Sequence, residues 1–409
     1  MKKIINRTNG KILGSIIKMN RLHQNMSQKA LSDGICVSSY LSRIENAEII
    51  PSEQVISELF EALAIHYNDS DAFLEEGQAL LNQFLDELMF NEFSTSGQIF
   101  EAIERKSEAY RHSPLIIDYY IVCLAFYCTR AERHIFESTR SLLESVEELM
   151  TNDQRFKYYL YYGIDHAKVY RDYVGALEIL YKAKTFDVNG HLFYWLGYAY
   201  LEMSNYIKSF EMFTEALKVY VDEANLLSII GSYEMLGLTH YRANNYEDGL
   251  SYFQRGLKLA QKIKSDSYVA SFNSNIAWSH LNLKRYDACL ALIKQTDQKF
   301  TGETTIHSAI IEFFVYLAQG YSEGCLGLLP VMKQNGEPMM RLFEEVMENA
   351  NVSDDASPFI DSEYMLRRLL DATAQVNFEL NKYLKHMMVR FYKSKRRYKE
   401  ALEMNDHIE

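Results

Sequence analysis

The sequence has few of the residues that interrupt helices. Only 5 of its 409 residues are proline and 18 are glycine, and no window shows the strict alternation of a β-strand. Both observations predict an all-α protein. The chain also lacks an apolar run of about 18 residues, so we expect no membrane span. Its basic first residues are not followed by an apolar segment and a small-residue cleavage site, so we expect no signal peptide.

Catalytic and metal-binding motifs are missing as well. The sequence has no H-E-x-x-H, no phosphate-binding glycine loop and no G-x-S-x-G elbow. We therefore expect no catalytic centre, no metal and no cofactor. The five cysteines are scattered and lack metal-ligand spacing, which predicts reduced thiols; a redox pair of Cys123 and Cys128 is the alternative. They are Cys36, Cys123, Cys128, Cys289 and Cys325.

A short stretch near the N-terminus predicts a pair of small helices around Gly34. Ser27 is placed to cap the first helix, and glycine accepts the positive φ that a tight turn requires. Ser38 is placed to cap the second helix, in which Leu41 and Ile44 face inward. This outline predicts a helix-turn-helix, whose second helix enters the major groove of DNA.

The flanking segments extend this outline to a small bundle. Residues 11–23 and 55–63 have apolar side chains at helical spacing, and Pro51 is suited to the first turn of the later helix. We expect four or five helices over residues 8–67. With its S-Q-x-x-L and S-x-x-S-R-I-E pieces, the stretch resembles the Xre/Cro-type helix-turn-helix domain.

That resemblance implies which residues meet DNA. Ser38, Ser39, Tyr40 and Arg43 would face the bases, with Arg43 able to form a bidentate pair with guanine. Gln28 would contact a phosphate or support a base-reading residue. Two alternatives are open: Arg43 could pair with a neighbouring carboxylate, and the whole hairpin could carry only solvated polar side chains.

Charge is distributed unevenly along the chain. Residues 1–43 contain eight lysines and arginines and one aspartate, whereas the whole chain has a net charge of −12. Binding to phosphates requires a local basic surface, so we expect the N-terminal region alone to contact DNA.

The remainder of the chain is organised by repeats. Four segments align on a tyrosine, with a small residue three positions later and a large apolar one seven positions later. This arrangement predicts pairs of closely packed helices and resembles the tetratricopeptide repeat. Degenerate copies are expected at residues 119–149 and 378–405. The aligned tyrosines are Tyr173, Tyr206, Tyr246 and Tyr286.

Two other segments connect these parts. Residues 72–90 are strongly amphipathic and predict a connector helix, ended by residues 91–97, that is a candidate for helix pairing in a dimer. Residues 334–358 predict a loop. The basic run at residues 393–399 is interpreted as a solvated helix face, with contact to DNA or a partner as the alternative. The predicted domains are 1–68 (helix-turn-helix), 69–97 (connector) and 98–409 (repeats).

The motif G-I-C-V-S-S-Y-L-S-R-I-E-N, followed by degenerate repeats, resembles the Rgg/Rap/NprR/PlcR/PrgX family of peptide-sensing regulators, with PlcR closest in plan. The resemblance implies a cytoplasmic, homodimeric transcription factor. Its repeats would bind a short signalling peptide and so change how the two heads fit an operator in double-stranded DNA. An adaptor that sequesters a response regulator or aids its dephosphorylation, and a regulator without a peptide ligand, are the alternatives.

The resemblance also implies a peptide-binding surface on the first helix of each repeat. The alternative for most of its tyrosines is packing between helices. Four asparagines could hold a peptide backbone: Asn225, Asn273, Asn275 and Asn282. The predicted peptide-binding residues are Tyr161, Asp165, Lys168, Tyr194, Tyr198, Glu202, Glu234, Tyr241, Arg242, Ser274, Trp278 and Asn282.

Overall fold

The structure, a computed structural model, consists of helices joined by short turns, which confirms the all-α prediction for its described part. Its residues form two compact units, 1–228 and 229–409. Within the described ranges, no helix combines the length and apolarity needed to cross a membrane. The described residues are 10–89, 93–128, 130, 132–300, 305–319, 321–328, 363–373 and 378–406.

The first unit begins with the predicted helical bundle. Its four helices are α1 (Gly10–His23), α2 (Gln28–Ser32), α3 (Ser38–Glu45) and α4 (Glu53–Ala62). The α2–α3 turn passes through Gly34 at φ 74°, the left-handed conformation that favours glycine.

Capping of these helices follows the sequence only in part. Ser27 caps α2 by accepting a hydrogen bond from the Ala30 amide at 3.1 Å, as predicted. The prediction for Ser38 was wrong: Val37 is the N-cap of α3, and the Ser38 hydroxyl instead lies 2.9 Å from the Ser32 hydroxyl. Pro51 was also misplaced, because Ser52 caps α4 and leaves the proline outside the first turn.

Helices α5 (Asp71–Met89) and α6 (Phe93–Glu104) follow the bundle. The amphipathic helix predicted at residues 72–90 is confirmed as α5, and its role as a connector stays a prediction. Residues 91–97 were expected to separate this helix from the repeats. Helix α5 ends at Met89, but α6 already begins at Phe93, within that segment. The next helices are α7 (Ser107–Arg111), α8 (Ile116–Tyr127) and α9 (Arg133–Ser145), the last two being the expected early repeat.

The repeats form pairs of helices, and each aligned tyrosine is the first residue of a second helix. The turn residue two positions before each tyrosine has a positive φ, between 54° at Arg171 and 64° at Asn244. Each turn thus contains one left-handed residue, and one further residue separates it from the second helix. The helices are α10 (Asn152–Asp165), α11 (Tyr173–Lys184), α12 (Gly190–Glu202), α13 (Tyr206–Asp222), α14 (Leu226–Arg242), α15 (Tyr246–Lys262), α16 (Asp266–Asn282) and α17 (Tyr286–Phe300).

Small residues let the paired helices approach closely, as the repeat pattern predicts. A Cβ atom added to Gly197 of α12 would lie 2.9 Å from Phe213 Cδ1 of α13. One added to Gly237 of α14 would overlap the ring of Phe253 on α15. Because both phenylalanines are fully buried, the glycines leave the space that the rings fill.

The second unit ends with α18 (Ile306–Gln319), α19 (Ser322–Gly327), α20 (Glu363–Thr373), α21 (Phe378–Ser394) and α22 (Tyr398–Asp406). Tyr398 begins α22, and Arg396 two positions earlier has φ 58°, which repeats the turn of the earlier copies. The final degenerate repeat is therefore confirmed. The loop predicted at residues 334–358 lies outside the described residues.

Candidate DNA-binding and peptide-binding surfaces

Helix α3 has one buried and one exposed face. Leu41 and Ile44 are 0% and 1% exposed and belong to the core of the first unit. Ser39 and Arg43 are exposed on the other face, and Tyr40 is half-buried against that core. The arrangement leaves polar side chains of α3 accessible to a large, flat or grooved partner.

A buried ion pair fixes α3 on the bundle. The Arg21 guanidinium of α1 donates through Nε to Glu45 Oε1 at 2.5 Å and through Nη2 to Oε2 at 2.9 Å. Gln28 Nε2 donates to the same carboxylate at 2.7 Å. Both charges are almost fully buried, so α1, α2 and α3 are held in one arrangement by a bidentate pair. Gln28 thus contacts Glu45, and a contact of Gln28 with DNA stays a prediction.

Arg43 has a weaker and solvated partner. Its Nε lies 3.4 Å from Glu48 Oε2, and both side chains are more than half exposed. The neighbouring-carboxylate alternative thus holds in the isolated chain, with Glu48 as the partner. Exposed pairs of this kind contribute little to stability, so Arg43 can exchange Glu48 for another acceptor at small cost.

The basic N-terminal surface is smaller than the sequence count suggests. Arg21 is neutralised inside the bundle by Glu45, and half-buried Lys18 donates through Nζ to the Ser145 carbonyl at 2.6 Å. Burial lowers the pKa of Lys18. Of the cations in residues 10–43, those on the surface are Lys11, Lys29 and Arg43.

Helix α1 also attaches the bundle of α1–α4, here called the head, to the following helices of the first unit. Besides the Lys18 contact, Asn20 Nδ2 donates to the Arg111 carbonyl at 2.9 Å. The donors lie on α1 and the acceptors at the ends of α7 and α9. The head is therefore attached through α1, whereas Ser39 and Arg43 of α3 remain at the surface.

In the first unit, the predicted peptide-binding residues fall into two groups. Tyr161 and Asp165 are buried, and Asp165 forms a bidentate pair with Arg133 Nη1 at 2.5 Å and Nη2 at 2.9 Å. Burial raises the pKa of Asp165, and the arginine opposes that shift. The remaining four, which are half-buried or exposed, are Lys168, Tyr194, Tyr198 and Glu202.

In the second unit, the residues are partly covered by the chain itself. Tyr241 and Trp278 are 2% and 1% exposed. Lys382 of α21 donates through Nζ to the carbonyls of Tyr241 and Arg242 at 2.9 and 2.7 Å, and the Tyr383 ring centre lies 6.3 Å from that of Trp278. Helix α21 thus packs on the residues predicted to face a peptide, which the repeat pattern did not foresee.

The other predicted residues of this unit take part in local hydrogen bonds. Asn282 donates to the Tyr241 hydroxyl and to the Trp278 carbonyl, both at 2.9 Å. Glu234 accepts from Ser271 and from Asn275, and Ser274 lies 2.5 Å from His307 Nε2. Such bonds orient side chains and can be exchanged for bonds to a ligand. Peptide contact by all twelve residues stays a prediction.

The asparagines have more specific positions. Asn225 is buried and accepts a hydrogen bond from the Ser228 amide at 3.1 Å, the geometry of an N-cap. Asn273 donates to the Thr296 hydroxyl at 3.0 Å. Asn225 is therefore used by the fold, whereas Asn282 stays half-buried on α16.

Stability of the first unit should fall in acid because of His191. Burial lowers the pKa of His191 to about 4, and its Nε2 accepts the Trp195 indole N–H at 3.3 Å. An indole N–H can only donate, so Nε2 of His191 must be unprotonated and the ring neutral in the folded state. The unfolded chain takes up the proton near pH 6.5, and stability is lost as the pH falls from there towards 4, by up to about 3 kcal/mol.

Urea unfolding at several pH values, followed by tryptophan fluorescence, tests this. His191→Gln keeps an acceptor but cannot gain the charge. Its free energy of unfolding should therefore fall less steeply with decreasing pH than that of the wild type. Equal slopes for the two proteins would contradict the assignment.

The cysteines show no reactive environment. Burial raises the pKa of Cys128, Cys289 and Cys325, each to about 12, so these thiols stay protonated. In the described ranges, no group of three or more histidine, cysteine, aspartate or glutamate side chains is arranged to hold a metal ion.

Comparisons with known proteins agree with this geometry. Residues 17–69 match the family model Helix-turn-helix (HTH_3). The chain is 20% identical over 330 residues to the Transcriptional activator NprA of Geobacillus stearothermophilus, covering 77% of this chain and 80% of that protein.

Solved structures share the fold. The apo form of RapI superposes with a TM-score of 0.64 at 12% identity, covering 81% of this chain and 97% of RapI. The apo form of the quorum sensor NprR from B. thuringiensis gives 0.59 at 14% identity, covering 83% and 99%. A special closeness to PlcR stays a prediction. The helix-turn-helix match, the similarity to NprA and the fold shared with RapI and NprR confirm the resemblance to the Rgg/Rap/NprR/PlcR/PrgX family read from the sequence.

Proposed function

We propose that this chain is a transcriptional regulator that binds operator DNA through α3 and a short signalling peptide through its repeats. The similar NprA is named a transcriptional activator, and NprR has been solved in complex with its cognate peptide NprX. We propose a homodimer that acts in the cytoplasm, with the domain limits 1–68, 69–97 and 98–409.

The exposed face of α3 carries the DNA-binding part of this proposal. Ser39 and Arg43 are presented on a helix whose opposite face is buried and whose last residue, Glu45, is fixed by Arg21. A helix that reads bases must hold its side chains in a fixed orientation, and a buried bidentate pair supplies that rigidity.

Arg43→Ala should weaken binding to the specific operator by about 1–3 kcal/mol, because a bidentate arginine–guanine contact is lost. Stability should hardly change, since Arg43 loses only an exposed pair with Glu48. Mobility shifts at one fixed salt concentration, on operator and on random DNA, measure the effect.

Arg105→Ala is the matched control for this experiment. It also removes one exposed arginine that is paired with a glutamate, Glu101, but it lies outside the bundle, directly after α6. It should leave discrimination between operator and random DNA unchanged. If Arg43→Ala discriminated as well as this control, Arg43 would not be a base-reading residue.

Peptide binding is tested by isothermal titration with synthetic fragments of short secreted precursors encoded next to the gene. Binding should alter the affinity for the operator, because a ligand that prefers one arrangement of the heads shifts their equilibrium. Binding of a peptide without any effect on DNA affinity would favour the adaptor function instead.

A further inference from the structure

A cavity of about 660 Å³ lies inside the first unit, between the head and the helices that follow it. Its lining includes Leu22 and His23 at the end of α1 and Arg111, Tyr120 and Leu142 of α7, α8 and α9. Neither the exposed face of α3 nor the predicted peptide-binding residues contribute to it. Its volume is in the range of sites for small organic ligands.

Arg111 is the cation among the lining residues, and its side-chain partners are two neutral rings, those of His23 and Tyr120. Arg111 Nη1 lies 3.1 Å from His23 Nε2, and a guanidinium can only donate, so Nε2 accepts. The ring proton must then be on Nδ1, which donates to the Tyr120 hydroxyl at 3.4 Å. Burial lowers the pKa of His23, in agreement with a neutral imidazole.

The charge of Arg111 is therefore not balanced by a carboxylate at hydrogen-bonding distance in the described part of the chain. The nearby acidic lining residue, Glu104, instead accepts the Tyr119 hydroxyl at 2.9 Å. Arg111 uses its backbone carbonyl for Asn20 of α1. A half-buried guanidinium that faces a cavity with donors to spare is suited to an anionic ligand.

We propose that this cavity binds a small organic carboxylate with an aromatic or aliphatic body. The carboxylate lies on the Arg111 guanidinium, and the body packs on Leu22, Tyr120 and Leu142. Because Leu22 belongs to the head and the other two to the following helices, the bound molecule bridges them. This is a second chemical input, separate from the peptide and from the DNA contacts of the proposed function.

The test uses the full chain and calorimetric titration, without DNA. The probes are 3-phenylpropionate, indole-3-acetate and hexanoate, each beside its neutral amide. We expect at least one carboxylate to bind below about 1 mM and its amide to bind at least about tenfold more weakly. Short peptides with free and amidated C-termini form a separate arm, which distinguishes a free metabolite from a peptide end as the source of the carboxylate.

Variants locate the site. Arg111→Gln should abolish binding while the backbone contact to Asn20 remains, and Arg105→Gln, at an exposed arginine, should bind like the wild type. Leu142→Trp fills the cavity with Arg111 unchanged and should also lose binding. A melting curve confirms that each variant is folded.

Three results would overturn the proposal: no carboxylate binding at about 1 mM, equal binding of acid and amide, or unchanged binding by folded Arg111→Gln. None of these depends on DNA. A chain that failed to bind operator DNA would thus refute the proposed function and leave the cavity to be judged by its own titration.

Discussion

Replacing Glu45 by alanine should destabilise the helix-turn-helix bundle by about 3–5 kcal/mol. The substitution leaves the Arg21 guanidinium buried, with an exposed fraction of 8%, and without its bidentate partner. It also removes the acceptor of Gln28. An uncompensated buried charge is among the most damaging changes that a single substitution can cause.

Chemical denaturation measures this loss, and amide hydrogen exchange in α1 and α3 localises it. Glu48→Ala is the matched control, because it removes the carboxylate of the exposed Arg43 pair three residues away. It should change stability by less than about 1 kcal/mol. Similar costs for the two variants would show that the buried pair does not hold α3 in place.

Phe253→Ala should destabilise the second unit by about 3–5 kcal/mol. The ring is fully buried on α15, and it fills the space left by Gly237 on α14. Truncation removes the ring's contacts and leaves a cavity between two helices that are already in close contact. Urea unfolding followed by circular dichroism measures the change, with exposed Tyr398→Ala as the control.

A double-mutant cycle tests the reason for this loss. Gly237→Ala alone should cost about 1–3 kcal/mol, because its methyl group overlaps the Phe253 ring. In the Phe253→Ala background the overlap is gone, and alanine is the better helix former, so the same substitution should cost less or even stabilise. Simple additivity of the two costs would contradict the packing of small against large residues.

The repeats could be predicted closely because their signal is local and recurs. Tyr173, Tyr206, Tyr246 and Tyr286 each begin a helix because one turn geometry is repeated at every copy. The small and large residues that recur after each tyrosine predict closely packed pairs of helices from sequence alone.

Long-range polar contacts could not be predicted in this way. The pair of Arg21 and Glu45 spans 24 residues, and Arg111 meets His23 across 88. The periodicity of the sequence does not show which charged side chains are buried, so Arg21 and Lys18 were counted with the basic surface. The packing of α21 on Tyr241 and Trp278 was missed for the same reason. Lys382 contacts Tyr241 across 141 residues, and Tyr383 contacts Trp278 across 105.

The attachment of the head through α1 has a consequence for how this protein can change over generations. Lys18 and Asn20 donate to the main-chain carbonyls of Ser145 and Arg111, and every amino acid provides such an oxygen. The side chains at 111 and 145 can therefore be replaced without removing the acceptors that hold the head. A substitution at position 111 could therefore change which small ligand binds at this junction. The hydrogen bonds that attach the head would be kept.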